Sequence, residues 1–141
     1  MKIDLIKATD DDIPFLIQLR EQTMYGELSK AGIDLSEKEQ YQRVKAYLDL
    51  AWIILKSNQK IGMIKYREME DVFKIIQFQI LPGFQKKGIG GYVLNDLRQK
   101  AKLSGKKIKL KVLKNSAAVT FYKQAGFHIL AADDYEYVMQ N

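Results

Sequence analysis

Residues 79–101 read QILPGFQKKGIGGYVLNDLRQKA. A strand-like run ends at Pro82-Gly83, and lysines follow at 86 and 87. Then Gly88, Gly90 and Gly91 crowd the point where the stripe of Ile89, Val93, Leu94, Leu97 and Ala101 demands a helix. Glycine weakens a helix by about 1 kcal/mol relative to alanine, so its repeated use at a helix start needs a reason. A helix amino terminus exposes N–H groups without intrahelical partners and carries the positive end of the macrodipole. Phosphate binds there when it can reach the backbone. Glycine removes the Cβ atoms that would block the approach, and it permits the angles that turn successive N–H groups into one concavity. Lys86 and Lys87 add charge beside the same spot. A plain glycine-rich turn joining strand to helix is the structural alternative.

Two familiar phosphate motifs fail here. No run has the Gly-x-x-x-x-Gly-Lys-Ser/Thr spacing of a P-loop. The dinucleotide fingerprint needs a third glycine where Val93 stands.

Outward from this stretch, the pattern organises the chain. Ile3 and Leu5 alternate as in a strand. Thr9 and Asp12 have capping-box spacing ahead of a helix bearing Ile13, Leu16, Leu19 and Thr23 on one face. Residues 26–35 read as a loop. Ser36 and Glu39 open a second helix whose stripe runs from Tyr41 through Val44 to Leu48. AWIILKS and KIGMIKYRE are expected to be strands around the turn SNQK, and VFKIIQFQIL a further strand ending at Pro82. After the glycine-led helix, which Gly105 is placed to stop, KIKLKV alternates strictly. Asn115 or Ser116 can cap a short helix ending near Gly126, and FHILAA and YEYVMQ suggest the last strands. The order is strand, two helices, three strands, helix, strand, helix, two strands: a mixed α/β or α+β sheet domain.

The chain has 141 residues, which fits a single domain over 1–141. Its formal net charge of +6 favours a phosphate-bearing partner, either a nucleic acid or an anionic cofactor. The lysines lack the interleaved aromatics of a base-stacking platform, so nucleic acid ranks last. No cysteine is present, which excludes disulfides, thiolate metal ligands and a cysteine nucleophile. No apolar run approaches the length of a membrane span, and the start has no signal core. The default location is the cytoplasm.

The segment Gln85-Lys86-Lys87-Gly88-Ile89-Gly90 resembles the Gln/Arg-x-x-Gly-x-Gly/Ala signature of the GNAT superfamily of acetyl-CoA-dependent N-acetyltransferases. The later segment NSAAVTFYKQAGF, with Asn115, Tyr122, Gly126 and Phe127, resembles the second feature of that family, as does the order of elements along nearly the whole chain. The resemblance implies an α+β fold: a mixed, mostly antiparallel sheet of about seven strands flanked by four helices and splayed near the middle. It implies that acetyl-CoA is the cosubstrate, with no metal, its pyrophosphate held by backbone N–H groups from Gln85 through Lys86, Lys87, Gly88, Ile89, Gly90 and Gly91. The pantetheine arm would lie in the split, against the backbone of Ile80 and Leu81 and near Asn115. Tyr122 would bind beside the coenzyme sulfur and act as general acid. Its alternative role is that of a core tyrosine beside Ala118, Phe121 and Ala125.

The acceptor implied is a primary amine of a small molecule or peptide, and members commonly form homodimers. Tyr25, Glu27, Asp133, Asp134 and Glu136 could attract a cationic amine. Glu27 and Glu68 are candidate bases, because the strand after Asp71 carries neither carboxylate nor histidine. A water relay or an amine arriving neutral would also serve. His128, the one histidine, reads as structural or exposed, and the lysines at 107, 109 and 111 as a solvated face. The function class competing with an enzyme is a non-catalytic coenzyme A-binding regulatory module.

Overall fold

A computed structural model describes residues 2–23 and 36–141. In chain order it contains β1 (Ile3–Lys7), α1 (Ile13–Thr23), α2 (Glu37–Lys45), β2 (Ala51–Lys56), β3 (Gln59–Glu68) and β4 (Val72–Ile80). Then come α3 (Ile89–Leu103), β5 (Lys107–Leu113), α4 (Ala118–Gln124), β6 (His128–Ala132) and β7 (Glu136–Gln140). The strands form one seven-stranded sheet in the order β1-β2-β3-β4-β5-β7-β6. Every pairing is antiparallel except β4–β5. The α+β class and the element order match the expectation from sequence.

Local chemistry sets the element ends. The Thr9 N–H donates to the Asp12 carboxylate at 2.9 Å, just before α1 begins. Ser36 Oγ accepts the Glu39 N–H at 3.2 Å and opens α2. Ser57 and Asn58 have φ of 49° and 68°. Positive φ at both central residues gives the turn whose twist matches a hairpin, here β2–β3. The α2 stripe differs from expectation. Tyr41 is exposed and Gln40 is buried. The helix ends at Lys45, and Leu48 reaches the core from a separate helical turn entered through left-handed Tyr47.

Helices cover both faces of the sheet. Ile13, Leu16 and Leu19 of α1, with Val44 of α2, pack on Ile53 and Met63. On the other face, Ile89, Val93, Leu94 and Leu97 of α3, with Tyr122 of α4, pack on Ile64, Ile75, Ile80, Ile108 and Leu110. No helix among the described residues is long and apolar enough to cross a membrane.

Two irregularities of β4 position everything that follows. Lys65 pairs with Gln77 and Tyr66 with Ile75, so Ile76 is an extra residue on β4. Such a bulge bends its strand and increases the local twist. The parallel pairing with β5 covers only Val72–Ile75 against Lys107–Leu110. Past the bulge the two strands part, and the sheet is split near its middle.

Candidate functional site

The loop from β4 to α3 begins with a tight helical turn at Pro82–Phe84, closed by the Phe84 N–H on the Leu81 carbonyl at 2.8 Å. Lys86 and Gly88 then adopt left-handed φ of 59° and 83°. Left-handed residues spaced in this way curl a backbone into a nest of converging N–H groups. The first α3 bond runs from the Tyr92 N–H to the Gly88 carbonyl at 3.0 Å. Among the described residues, the N–H groups from Lys86 through Gly91 have no backbone acceptor.

The glycines serve different ends. Gly88 supplies the left-handed entry to the helix. A Cβ on Gly90 would stand 3.3 Å from Phe121 Cζ and 3.6 Å from Ile80 Cδ1, so this position is small for packing. A Cβ on Gly91 would meet nothing within 4 Å. Among the described residues no neighbour accounts for that glycine, and the space before it is open to an anion drawn up to the bare amides. The loop therefore fits a diphosphate, with Lys86 and Lys87 exposed beside it.

The split supplies the second part of the site. The Leu81 N–H donates to the Ile61 carbonyl at 2.8 Å. Alternate residues of an antiparallel pair face opposite ways, so Ile80, opposite Gly62, turns its backbone groups away from β3 and into the split. There the Gln85 side-chain amide donates to the Ile80 carbonyl at 2.8 Å. The Ile80 N–H remains directed into the gap. The expectation for Leu81 is corrected, because its N–H and its carbonyl are both engaged within the chain. Phe78 shares the phase of Ile80, so its backbone also faces the split, which periodicity alone could not reveal.

Tyr122 sits on α4, in the core cluster that also holds Ile80. Ser116 Oγ accepts the Ala118 N–H at 3.1 Å and caps this helix. Gly126, with φ of 94°, ends it. Of the two candidate caps, Ser116 takes the role, and Asn115 stands exposed in the turn after β5. The Tyr122 ring is 6% exposed, with the Phe121 and Phe127 ring centroids at 5.2 and 5.5 Å. Phe121 in turn meets Phe78 at 6.4 Å. Burial raises the phenol pKa above its ordinary value. The proton is therefore held firmly, and the hydroxyl is a hydrogen-bond donor across the whole working pH range.

Other expectations fare differently. Tyr25 and Glu27 lie outside the described residues. Glu68 ends β3 opposite Phe73, where β4 and β5 are still paired, and it forms an ion pair with Lys106 at 3.2 Å. At about 3.3 Å per residue, the strand from Phe73 to Ile80 places it more than about 20 Å from the loop. Glu68 thus stands at the paired end of β4 and β5, held by Lys106, and away from the loop. Asp133 accepts the N–H groups of Tyr135 and Glu136 at 2.8 and 2.7 Å, a turn-forming role between β6 and β7. His128 is exposed on β6.

The face of β4 opposite Tyr122 carries Gln77 and Gln79, which line a small cavity with Leu16, Arg20, Val44, Met63 and Lys65. Arg20 and Lys65 are buried, at 5% and 2% exposure. Sequence reasoning passed over both. The available signal was the spacing: Lys65 falls in phase with Met63, and Arg20 follows Leu16 by one helical turn.

A model of the GNAT acetyltransferase domain matches residues 21–137. No curated protein matches the chain significantly. Solved structures do. The PaiA N-acetyltransferase of Thermoplasma acidophilum in complex with coenzyme A aligns over 100% of this chain and 99% of its own, at 21% identity and TM-score 0.75. An acetyltransferase from Thermus thermophilus aligns over 100% and 97%, at 16% identity and TM-score 0.80. Naa50 of Arabidopsis thaliana, in complex with the bisubstrate analogue CoA-Ac-MVNAL, aligns over 100% and 99%, at 19% identity and TM-score 0.70. At these identities the likeness is one of fold.

Proposed function

The chain belongs to the GNAT acetyltransferase family, and from that premise we propose that it is a single-domain N-acetyltransferase over residues 1–141. It moves the acetyl group of acetyl-CoA to a primary amine of a small molecule or peptide, with Tyr122 as general acid. The observation that supports this reading is the run of amides from Lys86 to Gly91, without a backbone acceptor among the described residues, at the mouth of the β4–β5 split.

Bound acetyl-CoA supplies a thioester carbonyl open to attack and a thiolate leaving group. The chain's own residues do the rest. The loop amides with Lys86 and Lys87 fix the diphosphate. The Ile80 N–H, facing the gap, is placed to hold a pantetheine carbonyl, and Asn115 borders the same arm. Tyr122 donates its hydroxyl toward the sulfur. A phenol whose pKa lies above that of a thiol, about 8.5, gives up its proton at a net cost unless it is resupplied. The economical course is a shuttle: Tyr122 passes its proton to sulfur while regaining one released from the attacking nitrogen.

The general base does not come from β4, since Val72–Ile80 holds no carboxylate and no histidine. That absence is the specific support for the second reading, a coenzyme-binding module without catalysis. One experiment separates the two. Calorimetry with acetyl-CoA, followed by a coenzyme-release assay across polyamines, amino acids, aminoglycosides and peptides, should show binding and then turnover with at least one amine. Binding with no turnover selects the module, and no binding ends both readings.

A further inference from the structure

From the geometry around the β4 bulge, we propose that Lys65 is the proton acceptor for the incoming ammonium, reached through one water in the cavity between β3, β4 and α1. This inference rests on the acetyltransferase reading above.

Position is the first argument. Lys65 lies directly opposite Gln77 on β4, at the step where Ile76 bulges and the strands begin to part. Side chains so paired have Cβ atoms roughly 5 Å apart. The cavity they share with Gln79 is about 10 Å³, room for one water at most, and Arg20, Lys65, Gln77 and Gln79 line it together with the apolar Leu16, Val44 and Met63. Gln77 and Gln79 can orient a water but cannot take its proton.

The surroundings supply the second argument. The Lys65 Nζ donates to the Ala46 carbonyl at 2.7 Å, a neutral partner that holds either the amine or the ammonium. The charged groups that bear on it are Arg20 from α1 and Asp49 from the turn before β2, with Arg43 of α2 acting on Arg20. Burial and Arg20 favour the neutral amine, and Asp49 opposes them. The result pushes the Lys65 pKa down to about 8. Arginine stays charged under all working conditions. Among the described residues that line this cavity, Lys65 is therefore the group that can change protonation state near neutral pH.

The protons balance. The acceptor ammonium loses one proton through the water to neutral Lys65, which later returns it to solvent. The freed amine forms the C–N bond as the C–S bond breaks. A second proton leaves the attacking nitrogen and, by way of Tyr122, ends on the coenzyme sulfur. The third remains on the amide product.

The test compares the unsubstituted protein with Lys65→Met on two probes, n-butylamine and methoxyamine. The first is protonated at neutral pH and the second is not. With butylamine, kcat/KM of the unsubstituted protein should bend over near pH 8, and Lys65→Met should lower it about a hundredfold at pH 7 and remove that bend, leaving only the rise that tracks the free amine. With methoxyamine the two proteins should differ little. Equal losses with both amines, or no loss with butylamine, would overturn the assignment. In parallel, NMR of ¹³Cε-labelled lysines, assigned through Lys65→Met, should show one lysine titrating near 8. A Lys65 that titrates with the surface lysines would also overturn it. Where the unsubstituted protein transfers to neither amine, the titration alone decides Lys65, and the transferase reading stands or falls on the amine panel above.

Discussion

Gln85 reaches back over the turn at Pro82–Phe84 to donate its side-chain amide to the Ile80 carbonyl at 2.8 Å. One bond thereby ties the first residue of the anion loop to the last residue of the splayed strand. It fills the carbonyl of Ile80 and leaves the N–H of that residue as the group offered to a ligand. Gln85→Leu removes the tie without emptying a core position. Acetyl-CoA affinity measured by calorimetry should fall about tenfold, or 1.4 kcal/mol. Stability should fall by no more than about 1 kcal/mol, the ordinary worth of one such bond.

Gly90 and Gly91 make a matched pair. Gly91→Ala adds a methyl group to open space within the first turn of α3, so the free protein should be stabilised, by up to about 1 kcal/mol. The same methyl stands before the bare amides and should weaken acetyl-CoA binding about tenfold or more. Gly90→Ala presses on Phe121 at 3.3 Å and should lower the melting temperature. Thermal melts with and without acetyl-CoA read both effects. A Gly91→Ala protein that binds as well as its parent would remove the diphosphate from this loop.

Tyr122→Phe deletes a hydroxyl and keeps the ring between Phe121 and Phe127. Turnover should drop about tenfold or more, in line with the loss of a general acid. Coenzyme affinity and melting temperature should stay near the parent values. An unchanged rate would leave Tyr122 a core residue only.

Ser116 and Asn115 divide two duties between neighbours. Ser116→Ala removes the cap of α4 and should cost about 1 kcal/mol in urea unfolding, with a small effect on affinity. Asn115→Ala should show the reverse ranking. Equal losses of stability would mean that both side chains hold the helix.

Asp12 sets an acid limit on stability. Burial alone would raise its carboxyl pKa, but the Lys60 ammonium at 2.6 Å and the Thr9 N–H at 2.9 Å outweigh burial and hold it below the ordinary value. A carboxyl depressed by folding stabilises the protein above its unfolded pKa of about 4, and that contribution is lost as pH falls through the folded value. Urea unfolding from pH 6 downward should show this decline. Asp12→Asn should flatten part of it while lowering stability at neutral pH.

The elements were legible because their signals are local. Alternation in KIKLKV, the spacing of Ile89, Val93, Leu94 and Leu97, and the caps at Thr9 and Ser36 each act over one turn or one strand. The glycine loop was legible for the same reason. Tyr41 misled because two stripes of similar spacing compete in α2, and the buried one begins at Gln40. The position of Glu68 could not be foreseen, because nothing in a strand's own residues tells which end of the sheet will open. That depends on the register of β4 against β3 and β5, a relation between distant segments. Lys65 escaped notice on the same grounds: its burial comes from α1 and α2, which close over it from elsewhere in the chain.

The short contact between β4 and β5 has one more implication. A central strand normally has neighbours along both sides, yet the far half of β4 has a neighbour on one side alone. Main-chain polar groups left bare in a dry interior are costly, so that edge must be hydrated whenever nothing else lies against it. An occupant with amides of its own can take over where the missing ladder would have run, acting as a borrowed strand. Coenzyme capture and completion of the sheet would then be a single event, and hydrogen exchange at Phe78 and Ile80 should slow on loading more than anywhere in β2.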